Sequence, residues 1–434
     1  MTNPVNTHLQ HPRDQIVEII TRIYRAGLTT TTGGNISVRD SEGNIWITPA
    51  AMDKGALQRR DIVCMRADGS RSGLHRPSSE YPFHKAIYEA RPDLTAIVHA
   101  HPPALVSFSI VRKLPDMNII PQARNVCGEI GYAFYACPGS DSLGDSISDQ
   151  FRKGHDAVIM ENHGVVVGGQ DIKDAFVRFE TLEFSAQTII NASIIGEPVY
   201  LTDEQLEIFE SRIPGDLPEM KSVSYPEKER SLRTGIASIV QRSCAQGLMI
   251  SSYGNVSARW EGNNFLITPR DMVRGEMGLE DIVQIRDGKR EPGKLPSKAV
   301  SVHQGIYENN PQINSIISTQ PPHLMAFGVS RMKLDVRTIP ESWVFLQDIP
   351  TLGFGIQYTE PDEIACVFGP DRPAALFEND GFFVTGDKLL ETFDRLEVAE
   401  FSARSLILGH SLGDLVPISE TQVQELRNKF LPTD

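Results

Sequence analysis

Cysteine is scarce in this chain: five residues in 434, Cys64, Cys127, Cys137, Cys244 and Cys366, with no CxxC pair and no framework of even spacing. That argues against a disulfide scaffold and for reduced thiols in a reducing compartment. Cys127 and Cys137 have no adjacent base, so a thiol nucleophile finds little support. Long apolar runs are missing as well. None approaches the roughly 20 residues of a membrane-spanning helix, and residues 1–14 are polar, unlike a secretory signal. Basic charge is in deficit, with 42 Lys and Arg against 56 Asp and Glu, a formal charge of −14 and a pI near 5.3. A field of that sign disfavours nucleic acid and anionic membrane surfaces, while a local basic site for a small anion stays compatible. No βαβ glycine fingerprint is present, so a dinucleotide-binding site is not expected. What remains is an ordinary globular composition, 40% apolar and 23% charged, in a protein expected to be cytoplasmic, away from membranes and nucleic acid.

The chain contains itself twice. Gly34-Asn35-Ile36-Ser37 recurs 220 residues later as Gly254-Asn255-Val256-Ser257, Ile47-Thr48-Pro49 as Ile267-Thr268-Pro269, and Asp61-Ile62-Val63 as Asp281-Ile282-Val283. The offset is 219 where His84-Lys85-Ala86-Ile87-Tyr88 meets His303-Gln304-Gly305-Ile306-Tyr307, and 217 where Glu161-Asn162-His163-Gly164 meets Glu378-Asn379-Asp380-Gly381. Solenoid repeats run about 20–50 residues, so a period this long is a domain duplication. We expect domains over 1–210 and 228–434, joined by a linker at 211–227 that carries three prolines and no apolar period.

The elements follow from periodicity. Ile16, Ile19, Ile20, Ile23 and Tyr24 form one apolar stripe, predicting a helix over 14–26. Short strands are expected at 35–38, 44–48 and 61–66, and Ser79 is the expected N-cap of a helix over 80–89. A buried strand at 95–99 leads into His99-Ala100-His101, strands at 157–160 and 165–167 flank Asn162-His163-Gly164, and Asp171 starts a long helix. The second half repeats this order, and the mixture points to α+β or mixed α/β units around a largely antiparallel sheet.

Two histidines two apart on a strand point to the same face, so His99 and His101 can approach one ion, with His163 closing a triad. Three imidazoles with an open position are a typical catalytic zinc arrangement, and imidazole also accommodates iron, nickel or manganese. Glu80 would be a carboxylate beside the open position. Singly, each residue has an ordinary structural reading. The duplication changes the weighing: Ser318, Gln320, Asp380 and Ala299 stand where His99, His101, His163 and Glu80 stand in the first half, while the flanking residues persist. Independent structural histidines have no reason to vanish as a set. By the same test His84, which recurs as His303, is structural. Asn35 and Ser78 recur as Asn255 and Ser297, compatible with turn and capping work. A phosphate-binding role for Asn35, Ser78 and Ser79 through hydroxyls and backbone amides stays open. His75, Arg76 and His155 read as solvated surface.

On Gly34-Asn35-Ile36-Ser37, Ile47-Thr48-Pro49, Pro77-Ser78-Ser79-Glu80, His99-Ala100-His101-Pro102-Pro103 and Asn162-His163-Gly164, the first half resembles the class II aldolase/adducin family. The resemblance spans almost all of each half. It implies the fold class α/β: two tandem three-layer α/β/α domains with central, mainly antiparallel sheets, the second degenerate. It implies Zn2+, or another divalent ion such as Mn2+ or Fe2+, on His99, His101 and His163; Glu80 as acid/base; and Asn35, Ser78 and Ser79 at a phosphate pocket. The implied function is a metal-dependent lyase of aldolase type, cleaving a C–C bond of a small hydroxy-carbonyl or sugar-derived substrate through a metal-stabilised enediolate. A sugar-phosphate 4-epimerase, a keto-acid decarboxylase and a non-catalytic adducin-like binding protein are the alternatives. Ala50-Ala51, where phosphosugar members carry a small hydroxyl residue and glycine, points away from a phosphorylated substrate. The family's four-fold rings suggest a homo-oligomer, two chains making a pseudo-tetramer.

Overall fold

The computed structural model describes residues 10–211, 217–369 and 371–431, so part of the expected linker, 212–216, lies outside the described residues. The chain forms two compact units, one of residues up to 117 together with 122–187, the other of 118–121 together with the residues from 188 onward.

In the first unit the expected opening helix runs Pro12–Arg25 (α1), with the His11 ring accepting the Arg13 N–H and Ile16, Ile19, Ile20 and Ile23 buried. Its sheet has eight strands: β1 Asn35–Arg39, β2 Ile45–Ile47, β3 Val63–Met65, β4 Arg71–Ser72, β5 Ala96–Ala100, β6 Gly131–Ala133, β7 Ala157–Met160 and β8 Gly164–Gly169. They lie in the order β4-β3-β2-β1-β5-β8-β7-β6, all neighbours antiparallel except β6 and β7. Strands β5 and β8 sit mid-sheet and every residue of both is buried. That is why their sequences read as continuous apolar runs rather than alternating ones. On one face, Ile97 and Val166 pack against Phe83 and Ile87 of the helix Tyr81–Ala90 (α2) and against Leu143, Ile147 and Phe151 of the helix Asp141–Arg152. Each such side chain contributes about 1.5–3 kcal/mol on burial.

Two boundaries differ from expectation. The strand expected from residue 61 begins only at Val63, because Asp61 ends a 3-10 turn, Arg59–Asp61, whose N-cap amide at Gln58 donates to the Asp61 carboxylate at 2.9 Å. Asp281 accepts the Gly278 N–H at 2.8 Å in the same way, so the repeated aspartate is a turn residue. At α2, Glu80 rather than Ser79 occupies the N-cap; the hydroxyl that turns the chain is that of Ser78, accepting the Glu80 N–H at 3.2 Å, and Ser79 is exposed.

The second unit repeats the topology. Strands β9 Asn255–Glu261, β10 Asn264–Ile267, β11 Val283–Arg286, β12 Lys289–Arg290, β13 Ser315–Thr319, β14 Thr351–Leu352, β15 Ala374–Phe377 and β16 Gly381–Gly386 lie in the order β12-β11-β10-β9-β13-β16-β15-β14. Helices Val300–Asn309 and Pro361–Val367 line one core, and helices Glu227–Ala245 and Leu389–His410 pack on the sheet as well. Both units are α/β, helices layered on a mainly antiparallel sheet. The described end of the expected linker runs along β12: Arg290 N donates to Pro218 O at 2.9 Å, and Met220 N to Arg290 O at 2.9 Å. Among the described residues, no helix is long and apolar enough to cross a membrane.

Candidate metal centre

The antiparallel order brings distant residues to one end of the first sheet. There β1 and β8 begin and β5 ends, with Asn35 opposite His99, and His99 opposite Val166. His163 precedes β8 by one residue and His101 follows β5 by one. Close approach at this corner depends on two glycines. Gly34 has φ +69° and a Cβ on it would lie 2.7 Å from the His99 carbonyl oxygen. A Cβ on Gly164 would lie 2.6 Å from Ala100 O and 2.8 Å from the His101 ring. Asn162, at φ +53°, supplies the left-handed residue of the His163 turn, closed by His163 N donating to Met160 O at 3.1 Å.

The three imidazoles meet as the spacing predicted. Each of His99, His101 and His163 offers one nitrogen within 4.8 Å of the others. His99 Nδ1 donates to Val165 O at 2.8 Å, which leaves Nε2 with its lone pair facing the cluster. Glu80 closes the group, Oε2 at 3.2 Å from His99 Nε2 and Oε1 at 3.4 Å from His163 Nε2. Burial, and secondarily the charge of neighbouring histidines, holds His101 down to about 3 and His163 to about 4, so both are neutral near pH 7. Burial works against ionised Glu80, yet a positive His99, the Asn35 amide and a positive His163 outweigh it and hold the carboxyl well below the usual carboxylate range; once the rings are neutral, Asn35 alone still donates to it.

The resulting charge pattern fits a cation. Nε2 of His99, Nε2 of His101 and Oε1 of Glu80 are all buried with no hydrogen-bond partner. Lone pairs and a carboxylate facing one another without an intervening donor repel, and buried orphans of this kind cost about 1–3 kcal/mol each. A divalent ion on imidazole nitrogens relieves that repulsion. Among the described residues, no second group of three such side chains assembles. At the matching corner of the second sheet Asp380 instead accepts from Gln357 Nε2 and, at 2.8 Å, from Tyr358 OH, and Ser318 is buried.

The remaining sequence candidates separate. Both polar ends of the buried Asn35 side chain are engaged inside the protein: Nδ2 donates to Glu80 Oε2 at 2.7 Å, and Oδ1 meets His84 Nε2. Ser78 works in the turn before α2, and Ser79 is exposed. His75 is not simply solvated; it lies 3.1 Å from Asp61. All five cysteines are free.

Two supporting residues escaped the sequence reading, although the first recurs and the second has an arginine at the matching position. Glu183 is buried and accepts the N–H groups of Ala104 and Leu105 at 2.9 and 3.0 Å, capping the helix Pro103–Ile110 that follows the histidine pair. Glu400 does the same for His323 and Leu324. Lys54 is buried, donates to Pro49 O and Met52 O at 3.3 and 3.4 Å, and is pushed down to about 8 by burial. Arg274 makes the matching contacts to Pro269 O and Met272 O. Both devices belong to the shared scaffold, and their signal was the constant offset.

The family model described as "Class II Aldolase and Adducin N-terminal domain" matches residues 14–190 and again 234–407. Similar proteins include a 5-deoxy-D-ribulose 1-phosphate aldolase of Bacillus thuringiensis, 32% identical over 48% of this chain and 97% of its own. A 3-oxo-tetronate 4-phosphate decarboxylase of Haemophilus influenzae is 31% identical over 46% of this chain and 96% of its own. An L-fuculose phosphate aldolase of Methanococcus maripaludis is 33% identical over 40% and 93%. Each relative thus corresponds to less than half of the chain. With the family model matching twice, on two sheets of one topology, the chain belongs to the class II aldolase and adducin family as a tandem duplication.

Proposed function

We propose that the first repeat is a metal-dependent lyase that cleaves a C–C bond in a small hydroxy-carbonyl or sugar-derived substrate, and that the second repeat is a non-catalytic pseudo-enzyme domain. The reading takes 1–210 and 228–434 as the two repeats, and the protein as cytoplasmic. The observation that carries it is the buried trio of unpartnered atoms, His99 Nε2, His101 Nε2 and Glu80 Oε1. His99, His101 and His163 would hold Zn2+, Mn2+ or Fe2+. When bound, the ion supplies Lewis acidity to adjacent substrate oxygens and stabilises the negative charge that develops as the bond breaks.

The chain's own residues do the rest. Val165 O fixes the His99 tautomer. Glu80, ionised and within 3.4 Å of two of the imidazoles, accepts the proton of the substrate hydroxyl as the C–C bond opens and returns a proton to the electron-rich carbon left behind. Asn35 holds Oε2, so Oε1 is the oxygen that moves the proton. The same site chemistry serves decarboxylation of a keto acid, the second reading, favoured by likeness to the Haemophilus decarboxylase. A residual substrate-binding role falls to Ser79, the exposed member of the predicted trio.

We further propose that two chains associate, the second repeat taking a neighbour's place in a pseudo-tetramer. One zinc-loaded preparation tests both statements. Light scattering is expected to give twice the chain mass. A retro-aldol and decarboxylation screen of ketoses and sugar acids, each with and without phosphate, is expected to release an aldehyde or carbon dioxide from at least one. A monomer contradicts the assembly, and a silent screen with metal bound contradicts the lyase.

A further inference from the structure

The Asn35 amide is the middle of a longer buried chain. Ser37 Oγ lies 2.9 Å from Tyr88 OH and 2.7 Å from His84 Nδ1; His84 Nε2 meets Asn35 Oδ1; and Asn35 Nδ2 lies 2.7 Å from Glu80 Oε2. All five residues are buried. The carboxylate sets the direction of the bonds as far as Ser37, because an ionised carboxylate only accepts. Asn35 must therefore turn its amide nitrogen to Glu80 and its oxygen to His84. The neutral His84 ring must then carry its proton on Nε2, so that Nδ1 accepts from Ser37, whose oxygen faces the Tyr88 hydroxyl, itself also within 3.3 Å of Thr95 O.

The second repeat separates the structural part of this chain from the rest. Ser257 Oγ lies 2.7 Å from His303 Nδ1 and 2.7 Å from Tyr307 OH, so the core segment is kept. Beyond it the chain stops: Ala299 replaces the glutamate, and His303 Nε2 and Asn255 Oδ1 are both buried without a partner. The link from histidine to asparagine is made where the carboxylate stands and is absent where it does not.

We propose that His84 is a positioning residue for Glu80: through Asn35 it holds the carboxylate turned toward His99 and His163. The proposal rests on reading the first repeat as a metal-dependent lyase, and it gives His84 a role that repetition alone hides. A side-chain amide can flip by exchanging nitrogen and oxygen; the His84 Nε2–H forbids the flip that would set the Asn35 oxygen against Glu80. Outer partners of this kind commonly govern metal affinity about 10–100-fold.

The test uses the full chain and zinc alone, by competition with a chromophoric chelator. His84→Phe, and Ser37→Ala as the gentler variant, are expected to weaken zinc binding by about tenfold or more. His303→Phe and Ser257→Ala, which cut the matching bonds of the second repeat, are expected to leave it within about twofold. Equal effects from both pairs, or none from the first, overturn the proposal. A second readout is independent of metal: ring 15N shifts of the metal-free protein are expected to place the His84 proton on Nε2, with mixed tautomers in Glu80→Ala. A proton on Nδ1, or a His84 spectrum indifferent to Glu80, overturns it. Failure of the wild type to bind zinc would sink the metal reading by itself, and the ring spectrum would still decide the role of His84.

Discussion

Glu80→Gln is expected to lower kcat by about 10²–10⁴-fold, measured with zinc high enough to fill the site despite the weaker binding that loss of the carboxylate brings. The substitution keeps the shape and a carbonyl oxygen that can still accept from Asn35 Nδ2, but it removes the group that accepts and returns the proton. The three imidazoles are untouched, so ion stoichiometry is the internal control. The effect should also fall on kcat rather than KM, since the proton moves only in the transition state. A variant with undiminished kcat would show that Glu80 is a scaffold carboxylate. Loss of the ion together with activity would instead make it a ligand, as its 3.2 Å and 3.4 Å distances to His99 and His163 allow geometrically.

The second large effect lies far from this chemistry. Arg233 is buried between two carboxylates, 2.6 Å from Glu229 and 2.7 Å from Glu291, with its guanidinium also on Ile282 O. Glu291 is further held by Lys294 at 2.7 Å and by Tyr225 OH at 2.9 Å, which ties the described part of the linker to the sheet. Arg233→Met leaves two buried carboxylates with one partly exposed ammonium between them. The loss is expected to be about 3–5 kcal/mol, the range for breaking a buried ion pair from one side. Urea unfolding followed by hydrogen exchange at β11 and β12 would measure it, and a change below about 1 kcal/mol would contradict the reading. Replacing Arg233, Glu229 and Glu291 together by apolar residues should cost much less, because no orphaned charge remains.

This ion cluster also shows where reading the chain stops. Helix Glu227–Ala245 buries Glu229 and Arg233 beside Ile236 and Val240, so these two charged residues are as interior as its apolar ones. Periodicity assigns them to solvent, since only the partner Glu291, distant in sequence, makes their burial tolerable. The linker reading of 211–227 fails to foresee docking for the same reason: pairing along an edge strand is a backbone property and needs no apolar pattern. By contrast, the triad was legible. His99 and His101 lie on a strand of known alternation, and the second repeat supplied a subtraction that marked His163 and Glu80 with them. Subtraction is coarse at His84: it assigns the ring to the scaffold because His303 exists, while the two rings differ in what their Nε2 atoms meet. Asn35 was hard to read for a related reason, its amide being spent on Glu80 and His84 rather than left for a substrate. A shared residue can thus do shared work on one side and local work on the other.

The duplication itself bears on regulation of stability against function. In the first repeat, repelling lone pairs and a buried carboxylate are kept together at one corner of the sheet. At the matching corner of the second, Asp380 is satisfied by Gln357 and Tyr358, and the glutamate is alanine. Relief of such repulsion is what a repeat freed from binding an ion would accumulate. The second corner is not free of unsatisfied groups, since His303 Nε2, Asn255 Oδ1 and Gln320 Oε1 are buried without a hydrogen-bond partner, but the carboxylate and the imidazole cluster are gone from it.

One repeat, and only one, is expected to hold a divalent ion on His99, His101 and His163. The most direct measurement is metal content per chain, by plasma emission spectrometry, for the wild type, for His99→Ala with His101→Ala, and for Asp380→Ala. About one ion per chain is expected in the wild type, none in the double variant and about one in Asp380→Ala. An ion-free wild type after purification with added zinc, or a double variant that keeps its ion, would contradict it.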